Sequence, residues 1–222
     1  VQFMVSHGTD PFLRRTLSIS ACDPSSGMIR LAVDLVGRGT ELLCTEKRGG
    51  SLNLIGPLGK GFNADTEGTG RIVLVAGGIG AAPLLYLAGR LAPHDCGRID
   101  FVMGARSAGH HALIEGFLHD GIHVVRATDD GSLGHRGTVG RPLRELIASE
   151  KVDRIVACGP APMLAAVASI ARGARIRCEV SLEERMACGL GACLGCAVRL
   201  TDGRMVRSCV DGPVFDDGEV AW

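Results

Sequence analysis

The stretch IVLVAGGIGAAPLLYLA, Ile72 to Ala88, decides the fold of this chain. It opens with a continuous apolar run typical of a strand buried in a parallel sheet, and then turns through GGIG into helical spacing. The helical face consists of Leu84, Leu87, Ala88 and Leu91. A membrane helix needs roughly 20 apolar residues, and this run is shorter and contains Pro83. It therefore predicts a strand, a tight turn and a helix of an α/β domain, with no membrane span.

The same alternation of strand and helix continues along the chain. RIDFVMGA (98–105), HVVRATDD (123–130) and DRIVACGP (153–160) are strand-like, and residues with helical spacing follow each of them. Strands that alternate with helices over about 110 residues indicate a parallel sheet. We therefore predict a parallel α/β domain over residues 70–177.

The segment before it has a different pattern. In MIRLAVDLV (28–36), apolar residues alternate with others at the period of a half-buried strand, and SLNLIGP (51–57) ends in a Gly-Pro turn. This pattern predicts an antiparallel β-barrel over residues 1–66, joined to the α/β domain by the polar stretch FNADTEGTG (62–70). The opening VQFMV is strand-like rather than a signal peptide, so we expect a preceding barrel strand to be missing.

A cluster of cysteines marks a third region, predicted to be a small domain over residues 178–222. The spacing is Cys188-x4-Cys193-x2-Cys196-x12-Cys209, which is the pattern of plant-type [2Fe–2S] proteins. Gly189, Gly191 and Gly195 allow the backbone to turn tightly around such a cluster. Structural zinc and four incidental cysteines are the alternatives.

Composition restricts the possible partners and the compartment. The chain has 222 residues with 24 basic and 24 acidic side chains, so it carries no electrostatic footprint for nucleic acid or an anionic membrane. Its nine cysteines do not form a disulfide framework, since four cluster near the end and five are scattered. This distribution predicts a metal site in a reducing, cytoplasmic compartment.

Glycine-bearing loops follow three of the predicted parallel strands. They are GGIGAAP (77–83), TDDGSLG (128–134) and CGPAPM (158–163), and the first and third lead into helices. Open α/β sheets bind ligands at the carboxyl ends of their strands, and helix N-termini attract phosphates. The loops together indicate a nucleotide site, although GGIGAAP is not a strict GxGxxG and a plain strand–helix turn is the alternative reading.

These segments together resemble the ferredoxin–NADP reductase superfamily. Within it the match is closest to the electron-transfer subunits of two-subunit, NAD-dependent dihydroorotate dehydrogenases, from RRTLSIS (14–20) to DGPVF (211–215). The segment LEERMACGLGACLGC (182–196) resembles the cluster segment of those subunits, which simple flavin reductases lack. Two departures are Leu17, where many superfamily members have an aromatic residue, and Asp34, where the subunits often have a basic one.

The resemblance implies a set of cofactor contacts. For FAD they are Arg15, Thr16, Leu17 and Ser18, then Ala32, Val33 and Asp34 in a strand, then Gly39 and Thr40 in a turn at the pyrophosphate. For NAD(H) they are Gly78, Gly80, Cys158 and Gly159, with Cys158 near the nicotinamide. For the [2Fe–2S] cluster they are Cys188, Cys193, Cys196 and Cys209. A guanidinium suits a pyrophosphate because it pairs with phosphate oxygens in a bidentate manner.

The implied activity is electron transfer by an oxidoreductase subunit. Electrons would pass between NAD(H), FAD, the cluster and a catalytic FMN dehydrogenase subunit, in a heterotetramer that serves pyrimidine biosynthesis. No side chain needs to act as an acid or base, because the cofactors carry the chemistry. Leu190 and Leu194 in the cluster loop are expected to face the partner. The alternatives are a reductase subunit of a hydrogenase or ferredoxin-linked transhydrogenase, and a zinc-stapled nucleotide-binding module without redox activity.

Overall fold

The structure is a computed structural model of the chain. It describes residues 1–5, 10–65, 70–91, 97–116, 118 and 121–222, and the side chains of 112–114 are not among those described. Residues 66–69, which contain the predicted end of the first domain and part of the predicted linker, lie outside the described residues.

Secondary structure alternates between strands and helices after residue 70. The strands are β1 (Gln2–Met4), β2 (Arg15–Thr16), β3 (Ile19–Asp23), β4 (Met28–Leu31), β5 (Asn53–Ile55), β6 (Arg71–Gly77), β7 (Arg98–Ala105), β8 (His123–Thr128), β9 (His135–Arg136), β10 (Arg154–Cys158), β11 (Arg177–Ser181), β12 (Ala197–Arg199), β13 (Met205–Arg207) and β14 (Val214–Asp216). The helices are α1 (Arg38–Thr45), α2 (Ala81–Leu91), α3 (Ala108–Glu115), α4 (Gly140–Ser149) and α5 (Ala161–Ala174), with a single 3₁₀ turn over Gly78–Gly80 before α2.

A seven-stranded sheet organises the molecule, in the order β14-β11-β10-β6-β7-β8-β9. All neighbouring strands are parallel except β14, which pairs antiparallel with β11. The predicted parallel sheet with alternating helices is confirmed. The sheet continues past residue 177, the predicted end of the α/β domain, because the apolar residues of β11 are buried beside β10. The cluster segment therefore shares one sheet with the α/β segment.

The core lies on both faces of this sheet. Alternate side chains of β6 point to opposite faces, so Ile72 and Leu74 pack with α2, whereas Val73 and Val75 pack with Leu164 of α5. Because β6, β7 and β10 run parallel, the loops at their carboxyl ends all lie at one edge of the sheet. Within the described residues no helix has the length and apolar character needed to cross a bilayer.

The N-terminal strands pair antiparallel, as predicted, but they form two separate groups among the described residues. One is a sheet in the order β2-β1-β5, and the other is the β3-β4 hairpin. The strand predicted through Ala32–Asp34 ends at Leu31, and beyond it Leu35 and Val36 are exposed. The helix α1, which the strand pattern did not predict, follows because Thr40 and Leu43 turn inward at helical spacing.

Candidate functional site

The cysteine loop wraps tightly around its own sulfurs. Gly189 and Gly191 adopt φ of +69° and +77°, values that L-residues with side chains rarely take. The resulting turns aim the N–H groups of Leu190 and Cys193 at Cys188 Sγ, both at 3.4 Å. Further N–H groups approach Cys193 Sγ and Cys196 Sγ at 3.5 and 3.4 Å. Such N–H groups stabilise sulfur that carries negative charge.

The four cysteines form two hydrogen-bonded pairs. Hydrogen bonding joins Cys188 to Cys193 and Cys209 to Cys196, and the charge of Cys188 also acts on Cys209. Backbone N–H groups from Leu190 and Cys193 lower the pKa of the Cys188 thiol to about 6, which favours the thiolate form that binds metals. Burial raises the pKa of Cys209, as does its hydrogen bond with Cys196.

This pairing fits a two-iron cluster better than one zinc ion. A structural zinc ion draws four ligands around one point. A [2Fe–2S] cluster instead needs four cysteines shared between two irons. The donor set and its pairing therefore fit the predicted cluster.

A cavity of about 520 Å³ lies beside the cluster segment. Its volume is typical of sites for organic cofactors. Three predicted flavin contacts, Thr16, Leu17 and Ser18, line it on one side, and Cys209 lines it on another. Its wall also includes Lys60, Phe62, Tyr86, Arg90, Ser181 and Met186. A planar ring held in this cavity would lie next to Cys209, a predicted ligand of the cluster.

A second cavity of about 270 Å³ lies at the N-terminus of α1. It is lined by Arg15, Val36, Gly37, Arg38, Gly39 and Thr40. A side chain at Gly39 would collide with the Arg15 guanidinium, so only glycine lets Arg15 take this position. A guanidinium next to a helix N-terminus is an anion site, which fits a pyrophosphate.

Some of the predicted FAD contacts lie elsewhere. Ala32 is buried in the core beside α2, Val33 is half-buried, and Asp34 is exposed; none of the three lines either cavity. The Thr40 hydroxyl donates to the carbonyl of Gly37 at 2.9 Å and so closes its own turn. An anion bound at this turn would therefore be contacted by the backbone N–H groups and not by the Thr40 hydroxyl.

The predicted nicotinamide residues come together at the carboxyl ends of β6 and β10. Gly80 lies so close to the Cys158 carbonyl that a side chain there would collide with it, and a side chain at Gly159 would collide with Met163 and the Gly77 backbone. Gly78 has φ of +54° and open space beside it. Burial, and next the charge of Glu183, raise the pKa of Cys158 to about 12, so this residue is a neutral thiol. Cys158 is also hydrogen-bonded to Ser181, which lines the larger cavity.

Several residues of the site were not predicted. Lys60, Tyr86 and Arg90 line the larger cavity, and the fully buried Gln2 lies against the cluster loop. Tyr86 and Arg90 lie on α2 outside its apolar face, so a search of that helix for polar positions near the turn could have found them. Nothing in VQFMV singles out Gln2, because its contacts are made by residues distant in sequence.

The fold and the paired cysteines define a ferredoxin-reductase-like oxidoreductase with an iron–sulfur domain. The match to a solved NADH-dependent reduced ferredoxin–NADP oxidoreductase covers 95% of this chain and 75% of that chain, at 31% identity and a TM-score of 0.84. The FAD/NAD binding domain of a nitric oxide dioxygenase from Vibrio cholerae O1 biovar El Tor matches 81% of each chain, at 25% identity and a TM-score of 0.61.

The chain belongs to the family of electron transfer subunits of dihydroorotate dehydrogenase B. The subunit from Desulforamulus reducens is 41% identical over 217 residues, which cover 96% of this chain and 82% of that protein. The subunit from Caldanaerobacter subterraneus subsp. tengcongensis is 39% identical over 214 residues, covering 95% and 82%. Residues 183–221 match the iron–sulfur cluster binding domain of dihydroorotate dehydrogenase B. The predicted family is confirmed, and so is the iron–sulfur domain.

Proposed function

We propose that this protein transfers electrons between NAD(H), FAD, a [2Fe–2S] cluster and a catalytic FMN dehydrogenase subunit. The partner is a dihydroorotate dehydrogenase in pyrimidine biosynthesis, and the site of action is the cytoplasm, where the free cysteines stay reduced. The observation that carries the proposal is that Cys209 lines the same cavity as Thr16, Leu17 and Ser18. One cavity therefore touches both the flavin segment and a cluster ligand.

The protein contributes binding, orientation and shielding. Arg15 and the backbone of Gly39 hold the pyrophosphate of FAD, and the larger cavity holds its ring. The open space beside Gly78, in the turn after β6, leaves room for the dinucleotide. FAD held here would supply the link between the two-electron chemistry of NAD(H) and a cluster that takes one electron at a time. The N-terminal sheets form the flavin-binding barrel.

The partner surface includes the exposed leucines of the cluster loop. Leu190 is 65% exposed and Leu194 is 63% exposed, although both are apolar and belong to a loop whose cysteines bind the cluster. Apolar side chains placed next to a redox centre favour a protein partner over solvent. We place the FMN subunit here, within a heterotetramer.

The likeness to the solved reductase also supports a second candidate function, that of a reductase subunit with a different electron acceptor. Its likeness at 31% identity favours a subunit that serves another acceptor, such as ferredoxin or a hydrogenase. Two measurements separate the candidates. The purified protein should contain flavin and two irons per chain without zinc, and it should couple dihydroorotate oxidation to NAD⁺ when mixed with the FMN subunit. A colourless protein with bound zinc would reject every redox function, and a coloured protein inactive with that subunit would favour the second.

A variant tests the cluster assignment directly. Cys193→Ser removes one predicted iron ligand, so iron content should fall to near zero while NADH still reduces FAD. Cys22→Ser, at an exposed cysteine in the β3-β4 hairpin, is the matched control and should keep its iron. Full iron content in Cys193→Ser would remove Cys193 from the ligand set.

A further inference from the structure

The side chain of Gln2 lies between the flavin segment and the cluster loop. It is fully buried in β1, and its Nε2 donates to Thr16 Oγ1 at 2.9 Å. On its other side it lies against Gly189, the residue after Cys188. A side chain at Gly189 would stand 2.7 Å from Gln2 Oε1, so the loop backbone rests directly on this amide.

The amide oxygen of Gln2 has no hydrogen-bond partner among the described residues. A buried polar atom without a partner costs roughly 1–3 kcal/mol, so an apolar side chain of the same shape would be the more stable choice if packing were the only demand. The position of Gln2 is therefore better explained by what its amide joins than by stability.

The neighbouring backbone strengthens the same link. The Leu17 N–H donates to the Val1 carbonyl at 2.9 Å, and the Val1 amino group donates to the Leu17 carbonyl at 3.1 Å. Both residues line the larger cavity, and Cys209 lines it too. The amide of Gln2 thus spans from the strand that borders the flavin to the loop that carries the first cluster cysteine.

We propose that Gln2 is a positioning residue that holds the cluster loop at a fixed distance from the flavin and thereby sets the rate of electron transfer between them. This inference rests on the proposed function. A flavin held here would receive two electrons and a proton from NADH as a hydride; it would pass the electrons singly through the cluster to the partner and release the proton to solvent. Gln2 acts only on that second stage, because it contacts Thr16 and Gly189 and does not touch the nicotinamide turns.

The test separates the two stages with the cofactor-loaded protein. Gln2→Met keeps the volume and removes the hydrogen bond. In anaerobic stopped-flow, flavin reduction by NADH should stay within about twofold of wild type, whereas cluster reduction should slow by about tenfold, as expected for a misplacement of less than 1 Å. Phe3→Leu, which disturbs the core of the same strand, is the control and should not separate the two rates.

A second readout uses the cofactor-free protein. Hydrogen exchange of residues 189–195 should rise in Gln2→Met and not in Phe3→Leu, because, of these two side chains, it is Gln2 that lies against Gly189. Gln2→Leu removes the same hydrogen bond with a different apolar side chain and should give the same selective slowing if Gln2→Met does not fold.

Equal slowing of both stages, or no slowing of cluster reduction in either variant, would overturn the inference. Failure of the proposed function would look different, because wild-type protein would then lack flavin or iron.

Discussion

Replacing Gly39 with alanine should weaken FAD binding without affecting the cluster. The new methyl group would collide with the guanidinium of Arg15 and push it out of the smaller cavity. A hydrogen bond to a charged group contributes about 1.5–3 kcal/mol, and 1.4 kcal/mol corresponds to a factor of ten in affinity. The Kd for FAD should therefore rise by about tenfold to a hundredfold.

Fluorescence titration of the FAD-free protein measures this change, and iron content serves as the internal reference. Gly173→Ala is a matched control, because Gly173 is exposed in α5 with open space around it and lies outside both cavities. If Gly39→Ala bound FAD within twofold of wild type, the smaller cavity would not be the pyrophosphate site.

Two other variants test the cluster loop and the buried ion pair of the sheet. Arg207 donates to the Gly191 carbonyl at 3.4 Å and pairs with Asp211. Because losing these contacts should cost about 1 kcal/mol, Arg207→Gln should release iron to a chelator about fivefold faster than wild type. The control Arg204→Gln, at an exposed arginine, should release iron at the wild-type rate. Asp100 is buried, but hydrogen bonds from Arg71 and His123 outweigh the effect of burial and lower its pKa. Because Asp100→Asn leaves the buried Arg71 charge without its partner, the free energy of unfolding in urea at pH 7 should fall by about 3–5 kcal/mol. Because its folded pKa lies below the ordinary 3.8, the stability it contributes should be lost as pH falls through that lower value, and an equally acid-sensitive Asp100→Asn would contradict this.

The parallel sheet and the cluster loop could be predicted because their signals are local. An unbroken apolar strand such as Arg71–Gly77 can be stable only when it is covered on both faces, and four cysteines with one spacing specify a metal loop whatever surrounds them. Both patterns can therefore be recognised in the sequence without knowledge of the tertiary structure.

Residues 31–36, which were predicted to be a strand, show why other features could not be predicted. Leu31, Val33 and Leu35 alternate as in a strand, but the chain leaves the sheet after Leu31 and its next residues turn into α1. The alternation carries no information about where a strand loses its neighbour. The role of Gln2 is hidden for a related reason, since it depends on Thr16 and Gly189, which are distant in sequence.

The central claim is that electrons from NADH reach the cluster only through the flavin. The most direct test is to remove FAD from the purified protein, keep the cluster, and add NADH without oxygen while recording the cluster absorbance. The cluster should stay oxidised, and adding FAD back should restore its reduction. Reduction of the cluster by NADH in the FAD-free protein would contradict the account.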